Sequence, residues 1–209
     1  MLWPMRLGVL GPAQGDLPAL ARGAQHLLDE GHAERVIYVA EDDALDRVVE
    51  GWALRLVGSN PTAGALFDRA IRCAAATPDE IDAFVASEQA RLRLRVLMSL
   101  PPGQRTIEIL DGRVALFVFD KAALDEEDIV AASLLVFGKS PEPLIKKVGT
   151  RTFFSPGPIG SEGGTALLDD GQGGVRIEVM NSSGAVTARE IVGPSASVSR
   201  MRVQGGSQG

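Results

Sequence analysis

The chain has 209 residues, 45% hydrophobic and 23% charged, with a formal net charge of -6 and a pI near 5.0. That length can bury one good-sized core or two small ones, and the acidic balance argues against general nucleic-acid binding, which relies on clustered Lys and Arg. One cysteine, Cys73, can form neither an internal disulfide nor a cysteine-built zinc site. No apolar run reaches the roughly 18 residues of a membrane span. The opening Met1–Arg6 lacks the pattern of a secretion signal, so the cytoplasm is the expected compartment.

Residues 5–10 read as a strand, and Gly11-Pro12-Ala13-Gln14-Gly15 as a tight loop. Asp16 is a good N-cap for a helix in which Leu17, Leu20, Ala21, Ala24, Leu27 and Leu28 share one face, ended by Gly31. Val36 to Ala40 is a continuous apolar run, as a parallel strand buried on both faces requires. A short helix is predicted over 42–52, a third strand over 54–57, and Ala-rich helix over 62–76. A further helix is predicted from Pro78 to about Ser99, with Ile81, Phe84, Val85, Leu92 and Val96 as its apolar stripe. Arg91, Arg93 and Arg95 are expected on the surface. Pro101-Pro102-Gly103 stops it.

In the second half, 106–110 and 113–119 flank Asp111-Gly112, a strong hairpin signal. Asp125 to Asp128 opens a short helix with acids at the favourable end of its dipole. Residues 134–137 read as a buried strand. Segments 144–148, 151–154, 165–168, 175–180 and 186–191 read as antiparallel strands. Residues 193–209 are rich in Gly, Ser and Gln and read as a mobile tail after one domain, 1–192.

Three segments carry a resemblance: Leu7–Leu20, Val36–Glu41, and the run from Ser133-Leu-Leu-Val-Phe-Gly138 through Phe153-Phe-Ser-Pro-Gly157. In order and character they resemble the small bacterial and archaeal calcineurin-like metallophosphoesterases. The resemblance covers roughly 5–192 and is weakest over 60–105, where extra helical sequence about 62–100 is inserted. It implies an α/β sandwich of two facing mixed sheets flanked by helices. It also implies an active site holding two metal ions that activate water and stabilise phosphoryl oxygens.

The residues at the family's ligand positions depart from that chemistry. The Asp-x-His loop falls on Pro12 and Gln14, the bridging aspartate on Glu41, and the Gly-Asn asparagine near Asn60. The family's His-Gly falls on Phe119-Asp120, and Gly-His-Thr-His on Gly138-Lys139-Ser140-Pro141. The chain's two histidines, His26 and His32, lie in and just after the first helix. No cofactor and no two-metal centre is therefore expected, since such ions need O and N donors that this set lacks.

Lys139 is a candidate surrogate cation for Glu41 or Asp120. Gly8, Gly11 and Gly15 around a helix start offer a weaker anion-binding reading, which tight turns explain equally well. Three functions stay open. One is a catalytically inactive scaffold for a partner protein, for which the family's Vps29 branch is a precedent. Its candidate anchors are Leu2, Trp3 and Trp52. Another is a phosphoesterase with an altered or single-metal site built on Glu41, Asp42, Asp43 and Asp120. The third is a metal-free sensor of a phosphorylated small molecule using Lys139, Lys146, Lys147 and Arg151.

Overall fold

In the computed structural model, residues 5–171 and 173–193 are described. Side chains alternate along β1 (Arg6–Leu10), so Leu7 and Val9 enter one core while Leu10 enters another. Gly8, on the second face, leaves room for Leu27 of α1 (Leu17–Asp29): a Cβ there would lie 2.8 Å from a Leu27 methyl carbon. β1 pairs in parallel with β2 (Arg35–Tyr38), and β2 with β3 (Leu97–Ser99). On its other side β1 pairs antiparallel with β9 (Thr165–Asp169), followed by β10 (Val175–Met180) and β11 (Val186–Val192). These six strands form one mixed sheet in the order β11-β10-β9-β1-β2-β3.

The second sheet has the order β4-β5-β6-β8-β7. Its centre is parallel: β5 (Arg113–Val118), β6 (Leu134–Phe137) and β8 (Arg151–Ser155). β4 (Thr106–Leu110) and β7 (Leu144–Val148) are antiparallel edges. The β4–β5 turn has positive φ at both Asp111 (49°) and Gly112 (69°), the mirror-image turn that suits strand twist.

The two sheets bury a shared core of Leu7, Val9, Ile37 and Val39 against Phe117, Leu134, Val136 and Phe154. Each fully buried side chain of this kind contributes about 1.5–3 kcal/mol. α1 and α2 (Ala44–Val57) cover the outer face of the larger sheet through Leu20, Leu27, Leu45 and Val48. α5 (Glu126–Ala131) lies in sequence between β5 and β6. The smaller sheet's outer face gathers Leu116, Val118, Leu135 and Phe137, with Ala132 just beyond that helix. This is the expected architecture, two facing mixed sheets flanked by helices.

Residues 54–57 are not a strand but the last turn of α2. Ala53 and Val57 are buried there, Leu54 and Leu56 are half-exposed, and Gly58 ends the helix at φ 84°. Four residues alternating in polarity cannot separate a strand from a helix. The third strand of the sheet is instead Leu97–Ser99, where the sequence pattern extended a helix. Finally, β8 runs parallel to β6 rather than antiparallel to its neighbours throughout.

The inserted segment forms α3 (Leu66–Ala70), flanking 3-10 turns, and α4 (Pro78–Arg93). α4 starts with a capping box between Thr77 and Glu80. It does not bury the predicted apolar stripe: Ile81, Val85 and Leu92 are exposed, while Glu88 and Arg91 are buried. Arg91 is not at the surface, where the sequence pattern places it. It turns inward because Glu88 meets both Arg69 and Arg91. The predicted tail lies outside the described residues, apart from Gly193.

Candidate functional site

The carboxyl ends of β2, β5 and β6 meet at one end of the sandwich, the place where α/β sheets commonly bind ligands. β2 runs on into Val39-Ala40-Glu41, β5 into Phe119-Asp120 and β6 into Gly138-Lys139. Gly138 N donates to Val118 O and Phe119 O, each at 3.1 Å, and Lys139 N donates to Phe119 O at 2.8 Å. A Cβ on Gly138 would fall 1.6 Å from Val39 O, so only glycine lets the two sheets close here. Beside this seam lies a cleft of about 380 Å³, lined by Glu41, Gly103, Gln104, Arg105, Phe119 and Asp120 among others.

The Lys139 ammonium donates to the Asp120 carboxylate. Both groups face solvent, with side chains 62% and 30% exposed. The Lys139 hydrogen bond holds the Asp120 carboxyl below its ordinary range, helped by the Ala122 N–H at 2.9 Å. The same bond raises Lys139, with a smaller contribution from the charge of Glu41. Glu41 itself is exposed.

The first loop is held by backbone contacts. Pro12 O accepts from Ile159 N at 2.9 Å, and Gly11 packs so closely that a Cβ would lie 1.8 Å from Gly157 O. Gln14 (φ 50°) and Gly15 (φ 89°) make the turn into α1, where Asp16 accepts from Ala19 N at 2.9 Å. The amides of Ala13, Asp16 and Leu17 all bond within the protein. Tight packing and turn geometry thus account for Gly8, Gly11 and Gly15.

Tyr38, the chain's single tyrosine, was not singled out in the sequence. It is fully buried; its hydroxyl accepts from Ala13 N at 3.1 Å and donates to Asp42 Oδ1 at 2.7 Å. Burial pushes its phenol strongly up, and the Asp42 bond adds to that. Asp42 Oδ1 also accepts from Ala44 N at 3.0 Å, starting α2. A lone Tyr in an apolar strand with Asp four residues on was the available signal, since a buried hydroxyl needs a partner.

Other sequence candidates lie elsewhere. Asn60, near the position of the family's Gly-Asn asparagine, is tied to the insert: its side chain accepts from Thr62 Oγ1 at 2.8 Å and its carbonyl from Arg69. The loop after β3, with Gly103 and Gln104, reaches the cleft instead. Asp43 stands at the start of α2 without a side-chain cap. Pro141 is exposed beyond Lys139. Lys146 and Lys147 are on edge strand β7 and Arg151 opens β8, none of them lining the cleft. His26 lies by Glu30, at 3.2 Å, and His32 is exposed. Trp52 is half-buried against the α1–α2 core, and Leu2 and Trp3 lie outside the described residues.

Among the described residues no three His, Cys, Asp or Glu side chains converge so as to hold a metal ion. Of the family's ligand positions, Pro12, Phe119 and Pro141 offer no side-chain donor, Gln14 is neutral, and Lys139 brings a positive charge. Glu41 remains. These residues do not fit a pair of divalent cations.

Comparison with solved structures decides the fold. A predicted phosphoesterase from Streptococcus pneumoniae matches with TM-score 0.52 and 11% identity, over 91% of this chain and 98% of that one. Yfce, a phosphoesterase from E. coli, matches with TM-score 0.53 and 13% identity, over 90% of this chain and 100% of its own. The chain has the calcineurin-like phosphoesterase fold. Vacuolar Protein Sorting 29 from Cryptosporidium parvum shares this phosphoesterase fold too, with TM-score 0.53 and 12% identity, over 92% of this chain and 100% of that one. No family model matches the sequence, and no curated protein does. No helix among the described residues is long and apolar enough to cross a membrane.

Proposed function

We propose that this chain is a protein-binding module of the cytoplasm built on the phosphoesterase fold, rather than a two-metal hydrolase. The observation that carries the reading is the Lys139–Asp120 pair at the strand-end cleft. An ammonium stands where the family's resemblance places a metal-binding imidazole, and it takes up the charge of the nearest acid. Electrostatically this disfavours a divalent cation at the same place. The helical insert, which exposes Phe67, Ile71, Ile81 and Val85, supplies surface of the kind protein partners use. A protein-sorting protein of the same fold is consistent with this role.

The test is turnover of a generic phosphodiester with added Mn²⁺, alongside metal analysis of the purified chain. The reading expects neither bound metal nor turnover. Tightly held metal with hydrolysis abolished by chelation would overturn it.

A further inference from the structure

The insert forms one wall of a groove. α4 packs beside α2, and between them and the end of α1 lies a depression of about 340 Å³. Its apolar floor is Leu28, Trp52, Ala90 and Leu94; Leu28 and Leu94 are buried and Trp52 is half-buried. Leu56 stands at its edge, 37% exposed. Arg55 and Arg93, both exposed, stand on the rim.

The rim is locally cationic within an acidic chain. Its one carboxylate among the described residues, Asp29, already accepts from Gln25 Nε2 at 3.1 Å and lies 3.9 Å from the Arg93 guanidinium. Arg93 also donates to Leu28 O at 2.6 Å, which fixes its stem over the end of α1. Trp and Arg beside a small apolar depression are the composition of an interface hot spot. The volume is at the lower end of the roughly 300–1,000 Å³ of ligand pockets, room for one or two large side chains rather than a cofactor.

We propose that the groove between α1, α2 and α4 docks a segment of a partner protein that seats a large apolar side chain on Trp52 and sets a neighbouring carboxylate against Arg55 and Arg93. This deepens the protein-binding reading and rests on it. The carboxylate supplies orientation and encounter rate, and the apolar anchor most of the affinity.

The test is selection of a random peptide display library on the immobilised full chain. Selected peptides are then assayed in solution against wild type, Arg55→Glu, Leu56→Glu and Ala90→Trp, each checked for an unchanged circular dichroism spectrum. The expected consensus joins an acidic residue to Leu, Phe or Trp, and each variant weakens it about tenfold or more. Arg55→Lys keeps most of the binding. No selected peptide, a basic consensus, or peptides indifferent to all three variants would overturn the groove assignment. So would a concentration-dependent dimer that Ala90→Trp abolishes, which would make a second copy the occupant. Peptides that bind elsewhere would remove the groove and leave the protein-binding reading standing. Metal-dependent turnover, measured separately, would remove that reading.

Discussion

Arg69 and Glu88 meet face to face inside the insert, Arg69 Nη2 donating to Glu88 Oε2 at 3.1 Å while Nε takes Oε1. Arg91 Nε donates to the same Oε2 at 2.8 Å. Arg69 is 2% exposed and Glu88 6%, so removing the carboxylate leaves two guanidinium groups with little water. Glu88→Gln should therefore cost about 3 kcal/mol in urea denaturation. The Arg69 bond holds the Glu88 carboxyl below its ordinary range. A carboxyl that is more acidic when folded stabilises fully above its unfolded pKa, about 4.3, and the contribution fades as pH falls through the folded value. The gap between wild type and Glu88→Gln should thus be constant near neutrality and narrow below about pH 4.

Tyr38 ties the first loop to the start of α2 through Ala13 and Asp42. Tyr38→Phe keeps the ring but orphans the Ala13 N–H, which is 1% exposed. The expected loss is about 1–2 kcal/mol, with faster hydrogen exchange at Ala13. The raised phenol of the wild type gives a second check. Above its unfolded pKa of about 10, the unfolded chain ionises first and stability falls with rising pH. Phenolate absorbance should then appear together with unfolding, and a phenolate titrating in the folded chain would contradict the buried geometry.

The strands were legible in the sequence because they are short apolar runs bounded by turn residues, and because the Asp111-Gly112 turn carries its own φ requirement; their arrangement as a sandwich was implied by the resemblance alone. The insert was not. There, Glu88 and Arg91 are buried and Ile81 and Val85 are exposed, so the polarity pattern points the wrong way around α4. A charge cluster that satisfies itself inverts the rule on which periodicity rests. The strand expected at 54–57 has a separate cause, a segment too short to tell strand from helix, and it displaced the third strand by some forty residues. Lys139 and Asp120 could be named from the resemblance. Tyr38 could not, because the resemblance gives it no role; only a lone phenol in an apolar strand, with Asp42 four residues on, points to it.

Lys139 and Asp120 form an exposed pair, and exposed pairs contribute little to stability. Lys139→Ala should leave the melting temperature nearly unchanged while releasing the Asp120 carboxyl upward toward its ordinary range, near 3.9. Carboxyl NMR titration of wild type and variant checks this directly. An unmoved Asp120 would show that the Ala122 N–H, not Lys139, sets its acidity.

Two glycines separate close approach from mere flexibility. Gly138 sits where a Cβ would strike Val39 O at 1.6 Å, with neither partner free to move, since Val39 N bonds Leu10 O at 2.8 Å and Gly138 N bonds β5. Gly138→Ala must push the ends of β2 and β6 apart at the cleft, at a cost of about 3 kcal/mol or more. Gly51 lies within α2 with nothing within 4 Å of its added Cβ. Gly51→Ala should stabilise by roughly 0.5–1 kcal/mol, because alanine loses less backbone entropy in a helix. Urea denaturation of the two variants side by side should therefore move in opposite directions. Equal shifts would mean that the sheets do not meet at Gly138.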